Sequence, residues 1–354
     1  MFEIGRCVFC NRSLNEDQIM FRFPSSNKEM EFDFAYSNML KAHNIDPTNR
    51  CILPKIYRYS GEQQLNGNSA IPSNSVYLSD GTVLTEMICP TCHGRIFRDT
   101  DDAKRNTFMF FGEKNSGKTS LIYTIISEAV ISKNAKDLFD KRYVPFYNDY
   151  LIKKNDFIKI YNDLKSEKIK KPENFNFPVI IHRAANVNSK LENKTDIFVD
   201  VTDFDIEDSD HIDMTLAQAD NAKAFIFTIP ITKLILADDE YYGRDVELRS
   251  HILPMYYSTR NADIKPTVFI AITFSDLIYN GTFDADISQL LDNYLHSPDD
   301  LFRAFFESRY PLTSGMLKRF FGSFNLCFVK ARDVESDSYV SELSRSLYKQ
   351  LTDL

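Results

Sequence analysis

Short apolar runs recur along the chain from Thr107 onward, and segments with helical periodicity separate them. Runs of this kind predict strands and helices in turn. Strands that alternate with helices are typical of an α/β domain with a mostly parallel sheet. The predicted strands are TFMFF (107–111), FPVII (177–181), DIFVDV (196–201), AKAFIFTI (222–229), PTVFIAIT (266–273) and NLCFV (325–329).

Two other segments have amphipathic helical patterns. A lysine-rich segment between about Leu138 and Pro172 carries apolar residues at helical spacing, and we expect a helical insertion over residues 135–175 with a solvated face rather than a binding patch. A last helix is expected to pack on the sheet through one apolar face. That face consists of Val340, Leu343, Leu347 and Leu351.

The first hundred residues have a different pattern of hydrophobic and polar positions. Clusters of turn-forming residues, such as PSSN from Pro24 and SGEQQLNGNSAIPSNS from Ser60, replace the long periodic stretches. This pattern predicts a small, loop-rich module. We therefore expect two domains, over residues 1–103 and 104–354.

Composition and charge narrow the class of protein. The chain has 354 residues, of which 43% are hydrophobic and 26% charged, values of a folded globular protein. Its net charge of −8 argues against a general attraction to nucleic acid or anionic lipid. No apolar run is long enough to span a membrane, and the N-terminus lacks the layout of a signal peptide. We expect a cytoplasmic protein without membrane association.

The segment GEKNSGKT at residues 112–119 matches the phosphate-binding pattern G-x-x-x-x-G-K-[ST] at every fixed position. It follows a predicted strand and precedes a predicted helix, as that pattern requires. The glycines let backbone N–H groups point at an anion, Lys118 is expected to reach the β- and γ-phosphates, and Thr119 to bind Mg²⁺. The predicted nucleotide-binding residues here are Gly112, Glu113, Lys114, Asn115, Ser116, Gly117, Lys118, Thr119 and Ser120.

A second magnesium-side group is expected at the end of a later strand. Asp200 follows the apolar run of DIFVDV, and in phosphate-loop enzymes such an acid holds the Mg²⁺ shell. An acidic strand end that only faces solvent is the alternative. The candidate catalytic residues are therefore Lys118, Thr119 and Asp200, with Thr119 and Asp200 as magnesium ligands.

Residues from about Thr107 to the end of the chain resemble the small-GTPase-like (TRAFAC-type) family of P-loop proteins. FPVII and DIFVDV flank a polar loop, RAANVNSKLENK, as the antiparallel second and third strands of that family do. VTD follows Asp200, the acidic end of the DIFVDV strand, so that residues 200–203 stand where the family has D-x-x-G. Thr273-Phe274-Ser275-Asp276 stands where the family has [NT]-K-x-D. The resemblance implies a three-layer P-loop fold that binds GTP and GDP, with Thr273, Asp276 and Lys330 on the guanine side.

The chain departs from that family at positions that matter for hydrolysis. Asp203 replaces the glycine that approaches the γ-phosphate, and a carboxylate there repels phosphate. Phe204 occupies the place of the water-orienting glutamine, Phe274 replaces the lysine over the base, and residues 126–193 contain no threonine for the magnesium shell. The resemblance therefore implies slow hydrolysis that needs a protein partner, such as one that supplies an arginine.

Four of the six cysteines form two CxxC pairs, Cys7/Cys10 and Cys89/Cys92. Four thiolates complete a tetrahedral Zn²⁺ site, which would be structural. The long gap between the pairs predicts an inserted subdomain. Replacement of one cysteine by His93, two unrelated reduced pairs and a redox role are the alternatives.

A zinc-ribbon-like module ahead of a GTPase-like domain resembles the bacterial double-GTPase and zinc-ribbon GTPase families linked to conflict systems. Two further functions stay open. The chain could be a scaffold that binds a nucleotide without hydrolysing it, or a P-loop ATPase or nucleotide kinase. Competition between GTP and ATP separates the last of these from a GTP-binding switch.

Overall fold

The chain divides into two compact units, Met1–Arg105 with Ile206–Gln218, and Asn106–Asp205 with Ala219–Leu354. Within the described ranges, no helix is both long and apolar enough to cross a lipid bilayer. The computed structural model describes residues 3–15, 18–24, 29–42, 47–58, 75–96, 105–113, 115–131, 143–145, 179–187, 190–201, 218–235, 238–260, 265–296, 301–330 and 342–354.

The first unit consists, in its described part, of short antiparallel strands and a helix. The strands are β1 Glu3–Arg6, β2 Ser13–Asn15, β3 Met20–Arg22, β4 Met30–Phe32, β5 Ile52–Pro54, β6 Ile56–Arg58, β7 Val76–Tyr77, β8 Val83–Leu84 and β9 Glu86–Ile88, and the helix is α1, Phe34–Ala42. β3 lies between β6 and β9, while β1 pairs with β2, β4 with β5 and β7 with β8. These strands are short because turn-forming residues are frequent in this part of the sequence.

The second unit is built on one mixed sheet with the strand order β11-β12-β13-β10-β14-β15-β16. Its strands are β10 Arg105–Phe111, β11 Tyr143–Pro145, β12 Val179–Val187, β13 Lys190–Asp200, β14 Ala222–Pro230, β15 Thr267–Thr273 and β16 Asn325–Phe328. β10, β14, β15 and β16 run parallel, whereas β11, β12 and β13 pair antiparallel. The predictions of an α/β domain and of antiparallel second and third strands are confirmed.

The core of this unit lies on both faces of β10, since every residue of that strand is buried. Aromatic rings fill it: Phe111 stacks on Phe227 at a centroid distance of 5.1 Å, and Phe108 lies 5.5 Å from Phe198. A central parallel strand buried on both faces favours a continuous apolar sequence, which β10 has over its last four residues, Phe108 to Phe111.

Helices connect the parallel strands and pack in two groups. They are α2 Lys118–Ile131, α3 Asp238–Thr259, α4 Ala285–His296, α5 Leu301–Arg309, α6 Pro311–Phe321 and α7 Glu342–Asp353. α2 contacts α7, whereas α3 contacts α5 and α6. The predicted last helix is present over Glu342–Asp353, with Leu347 and Leu351 buried as expected; Val340 lies outside the described residues.

The polar segment RAANVNSKLENK is not a loop, and that prediction is wrong. β12 and β13 stay paired from Val179↔Phe198 to Val187↔Lys190, so most of this segment belongs to a long hairpin. The backbone ladder needs no apolar side chains, and strand propensity is a weak guide where the side chains are polar.

The predicted helical insertion over residues 135–175 is described only at Tyr143–Pro145. These residues form the strand at the edge of the sheet, paired with β12 from Tyr143↔Arg183 to Pro145↔Ile181. The sequence analysis did not predict this strand. The lysines of that segment, from Lys153 to Lys171, lie outside the described residues.

Candidate functional site

The phosphate loop connects β10 to α2, in the strand–loop–helix context that the sequence predicts. Gly112 has a φ of +144°. A Cβ atom at this position would lie 2.4 Å from Thr228 Oγ1 and 2.6 Å from the Thr228 carbonyl oxygen. Only glycine fits against β14 here, because both the backbone angle and the space exclude a side chain.

Two more loop residues have left-handed backbones. Gly117, with a φ of +84°, lies against Phe274 and Thr273, which a Cβ atom would approach to 3.3 Å. Asn115 has a φ of +66° and is exposed. Successive turns of this kind turn backbone N–H groups toward one point, which suits an anion. Lys114 lies outside the described residues.

Ser116 fixes the loop to two strands of the sheet. Its hydroxyl lies 2.7 Å from Thr228 Oγ1, which donates a 3.0 Å hydrogen bond to the Phe111 carbonyl. Its carbonyl accepts a 2.6 Å bond from Thr273 Oγ1. Thr273 was predicted on the guanine side, and the structure gives its hydroxyl a partner in the phosphate loop.

The ammonium group of Lys118 lies inside the loop. It donates to the carbonyl oxygens of Gly112 and Glu113, the latter at 2.8 Å, and is 3.5 Å from Ser116 Oγ. The side chain is buried. A buried cation held by two loop carbonyls can attract a polyphosphate, which would replace those carbonyls as its acceptor.

Thr119 and Asp200 meet at the start of α2. The Thr119 hydroxyl donates a 2.5 Å hydrogen bond to Asp200 Oδ2, and Asp200 is buried at the end of β13. Val201 N–H donates to the Phe110 carbonyl at 2.9 Å, which fixes the end of that strand next to β10. A hydroxyl and a carboxylate are hard oxygen donors of the kind that Mg²⁺ prefers, so this pair fits the ion. Ser120 lies one position further along α2, half-buried.

The predicted guanine-side residues follow β15 and β16 at the carboxyl edge of the sheet. Ser275 Oγ donates to the Ile272 carbonyl at 3.2 Å and to the Val329 carbonyl at 3.0 Å, which joins the two segments. Asp276 lies in the short 3₁₀ helix Ser275–Ile278, partly exposed. Lys330 follows Val329 and is half-buried. The carboxyl edge of parallel strands is where ligands bind in open α/β sheets.

Phe274 follows β15 and lies next to Gly117 of the phosphate loop. It has a φ of +58° and is 37% exposed. A bulky residue with a left-handed backbone is strained, and such strain concentrates at functional sites. Asp203 and Phe204 lie outside the described residues, as does the rest of the segment that follows Val201.

The four predicted zinc ligands come together in the first unit. The Sγ atoms of Cys7, Cys10, Cys89 and Cys92 are buried and all lie within 4.8 Å of one another. Cys7 Sγ is 3.6 Å from Cys92 Sγ, and Cys10 Sγ is 3.7 Å from Cys89 Sγ. Four sulfurs around Zn²⁺ with bonds of about 2.3 Å are about 3.8 Å apart, whereas a disulfide needs about 2.05 Å. The cluster therefore fits a tetrahedral metal and excludes these two pairs as disulfides.

The two CxxC turns have the same backbone geometry. In each, the first cysteine donates its N–H to the carbonyl five residues later and accepts from the N–H four residues later, at 2.8–3.0 Å. The residue four positions after that cysteine has a left-handed backbone in both turns, with φ of +55° at Asn11 and +54° at His93. Paired turns of this kind direct two thiols each toward a common centre.

The thiols influence one another strongly. Burial raises the pKa of Cys7, whereas hydrogen bonds from the neighbouring thiols, that of Cys10 first, lower the pKa of Cys89. The Thr91 N–H also reaches Cys89 Sγ at 3.4 Å. A divalent cation at the centre would favour the thiolate form of all four.

His93 belongs to a different network. Its Nδ1 lies 2.7 Å from Asp33 Oδ1, and Arg22 Nη2 lies 2.8 Å from Asp33 Oδ2. Asp33 also accepts the Tyr36 N–H at 2.9 Å and so caps α1. Burial disfavours the carboxylate, but these bonds, that of His93 first, bring the pKa of Asp33 below its usual value. The structure thus gives His93 a carboxylate partner, and the candidate metal site consists of the four cysteines.

Sequence reasoning did not identify three residues of these sites. Thr228 bonds to the phosphate loop, Arg244 of α3 forms an ion pair with Glu113, and Gln218 donates to the carbonyls of Val8 and Phe9 at 3.2 and 2.9 Å. Thr228 gives a weak signal as a polar residue near the end of an apolar run. The other two give none, since their partners are far away along the chain.

Comparison with known proteins by sequence gives no match. No protein-family model matches the chain, and no curated protein matches it.

Among solved structures, three similar chains each match 70% of this protein. The first is in the signal recognition particle receptor SRb-GTP/SRX complex from Chaetomium thermophilum, with 13% identity, 97% of that chain covered and a TM-score of 0.35. The second is the GTP-bound Ski7 GTPase-like domain of S. cerevisiae, with 16% identity, 50% of that chain covered and a TM-score of 0.34. The third is the ADP-ribosylation-factor-like GTP-binding protein or small COPII coat GTPase SAR1 from Encephalitozoon cuniculi in complex with GDP. It has 10% identity, 78% of that chain covered and a TM-score of 0.32. With likeness this low, the fold assignment rests on the strand order and pairings of the chain itself.

Proposed function

We propose that this protein is a Mg²⁺-dependent guanine-nucleotide-binding switch that hydrolyses GTP slowly and is stimulated by a protein partner. The observation that supports this most is the phosphate loop, in which Gly112 packs closely against Thr228 and the Lys118 ammonium donates to the loop carbonyls of Gly112 and Glu113. Loops of this geometry at a helix N-terminus bind phosphate groups through backbone N–H donors and one lysine.

The magnesium proposal is supported by Thr119 and Asp200. Their 2.5 Å contact places a hydroxyl and a carboxylate together beside the loop. Both would hold Mg²⁺, directly or through water, and the bound ion would neutralise charge on the β- and γ-phosphates. Lys118 would reach the same phosphates from within the loop.

The guanine proposal is supported by Asp276 and its place at the carboxyl edge of the sheet. A carboxylate that accepts hydrogen bonds from a base discriminates strongly against a base that leaves it unpaired. Slow turnover is supported by the sequence. Phe204 offers no group to orient water, and the negative charge of Asp203 would repel the phosphate. A partner would have to supply the missing group.

We also propose that Cys7, Cys10, Cys89 and Cys92 hold a structural zinc ion. Four thiolates leave no open position on tetrahedral zinc, so the ion would stabilise the first unit and take no part in hydrolysis. The 3.6 and 3.7 Å sulfur distances support this metal over a disulfide pair.

Competition binding tests which base the site prefers. We expect unlabelled GTP to displace a fluorescent GDP at a concentration about 100-fold lower than ATP does. Asp276→Ala should abolish this preference, and Asp286→Ala, an exposed carboxylate on α4, should keep it. Equal displacement by ATP would instead favour a P-loop ATPase.

Phosphate release by the purified chain tests hydrolysis separately. We expect a rate on the order of 10⁻³ per second or lower, as in GTPases that lack their activator. Rapid release would contradict the proposal. Tight GTP binding with no release at all would favour the non-hydrolysing scaffold.

A further inference from the structure

Arg244 of α3 forms an ion pair with Glu113, the second residue of the phosphate loop. The same nitrogen, Nη1, lies 3.0 Å from Glu247 Oε2. The Arg244 and Glu113 side chains are 26% and 29% exposed, so water screens this pair less than a fully exposed one. Burial opposes the charged guanidinium, but the hydrogen bond and charge of Glu113 raise the pKa of Arg244 above its ordinary value.

The helix that carries Arg244 is firmly positioned. The neighbouring residue, Asp245, is buried and accepts the N–H groups of Leu312 and Thr313 at 2.7 Å each. Its carbonyl also accepts the Thr313 hydroxyl at 3.2 Å. These bonds cap α6 and fix this turn of α3, so the guanidinium is presented to the loop from a rigid element.

Glu113 is an unfavourable residue in a loop that receives polyphosphate. Its own carbonyl oxygen accepts the Lys118 ammonium at 2.8 Å, so its carboxylate belongs to a residue that lines the proposed phosphate site. A carboxylate near a phosphate group raises the free energy of the bound state by repulsion. Some positive charge must offset it for tight binding.

We propose that Arg244 is a positioning residue of the nucleotide site, which holds the Glu113 side chain in place and cancels its charge against the incoming polyphosphate. This inference rests on the proposed function. It makes Arg244 act through Glu113, with no contact between Arg244 and the nucleotide. Affinity for nucleotide then depends on the balance of charge between Arg244 and Glu113, with Glu247 as a second carboxylate on the same guanidinium.

A double-mutant cycle with GDP and GTP in the presence of Mg²⁺ tests this. We expect Arg244→Ala to weaken binding by about tenfold, because the Glu113 carboxylate is then uncompensated. Glu113→Gln combined with Arg244→Ala should bind within about threefold of wild type, since the repulsive charge is gone as well. Arg249→Ala, an exposed arginine on the same helix, is the matched control and should bind like wild type.

Salt dependence adds a readout that a purely structural role would not move. The defect of Arg244→Ala should shrink as salt rises from about 50 mM to about 500 mM, because mobile ions screen the Glu113 charge. Arg244→Lys, which keeps the positive charge, should retain most of the affinity. Thermal unfolding of each variant shows whether it is folded, and the double variant and Arg244→Lys decide the question if Arg244→Ala does not fold.

Three results would overturn the inference. Arg244→Ala could bind like Arg249→Ala, the double variant could stay as weak as Arg244→Ala, or the defect could be independent of salt. The second result would mean that Arg244 acts on the nucleotide itself. In all three, wild-type protein still binds guanine nucleotide, so the proposed function stands; if wild type binds none, it is the proposed function that fails.

Discussion

The Thr273 hydroxyl donates a 2.6 Å hydrogen bond to the Ser116 carbonyl, so the strand that leads to the guanine-side residues also holds the phosphate loop. Both residues are buried. A buried carbonyl that loses its hydrogen-bond donor cannot form a replacement bond with water, so the loss raises the free energy of the folded state. The two halves of the proposed nucleotide site are joined at this contact.

Thr273→Val should therefore lower the free energy of unfolding by about 1–3 kcal/mol, since it removes the donor and keeps the shape of the side chain. It should also weaken GTP and GDP binding by similar factors, because the loop is held less firmly for both. Urea unfolding and nucleotide titration measure the two effects. Thr267→Val, at the other end of the same strand, is the control. Unchanged stability together with unchanged affinity would show that the bond has no such role.

Substitution by alanine should have different effects at two glycines, since it should impair nucleotide binding at Gly112 and increase stability at Gly243. Gly112→Ala should abolish nucleotide binding, because a Cβ atom there would lie 2.6 Å from the Thr228 carbonyl oxygen. Gly243→Ala should stabilise the protein by about 1 kcal/mol, because that residue lies inside α3 and a new Cβ would meet nothing within 4 Å beyond its chain neighbours and the backbone of its own helix. Melting temperature and nucleotide titration on both variants check this. Full binding by Gly112→Ala would refute the close packing of the loop on β14.

The proposed zinc site gives a third prediction. Purified protein should contain about one zinc ion per chain after dialysis, and Cys89→Ser should lose the metal and destabilise the first unit. Cys51→Ser changes a buried thiol outside the cluster and should keep the zinc. Elemental analysis with thermal unfolding measures both. Zinc content that is zero in wild type, or unaffected by Cys89→Ser, would contradict the proposed site.

The Asp33 network predicts a pH dependence with a defined sign. The folded-state pKa of Asp33 is lowered, so its contribution to stability is present above the unfolded-state pKa of about 3.9 and is lost as the pH falls through the lower folded-state value. Asp33→Asn should thus be less stable than wild type at about pH 7, and this difference should shrink toward about pH 3. Chemical unfolding at several pH values measures it. A difference that stays constant across this range would mean that the charge of Asp33 contributes nothing.

Much of this site could be predicted from the sequence, because its chemistry depends on residues that are close together in the chain. The phosphate loop needs glycine at two fixed positions, and each CxxC turn brings its two thiols together locally. The two strands β12 and β13 were also predictable in part from their apolar runs, while their antiparallel pairing was implied by the family resemblance. Their polar halves were not, because the backbone pairing of residues 183–194 leaves no hydrophobic pattern.

The remaining features depend on contacts between distant segments. Arg244 is 131 positions from Glu113, and Gln218 is 209 positions from Phe9. Neither distance can be read from local periodicity, since the helix or turn that brings the side chain to its partner is set by the packing of the whole unit. Thr273 shows the same limit: its motif predicted a role near a base, and the fold adds a bond to the phosphate loop.

Isothermal titration calorimetry with GDP and Mg²⁺ tests the central claim most directly. We predict that wild type and Lys265→Ala, which alters an exposed lysine bonded to the Phe320 carbonyl, bind the nucleotide alike. Lys118→Ala should lose at least about 100-fold in affinity, because the cation inside the loop is gone. Folded wild-type protein that takes up neither GDP nor GTP, or a Lys118→Ala variant that binds as tightly as wild type, would contradict a nucleotide site at this loop.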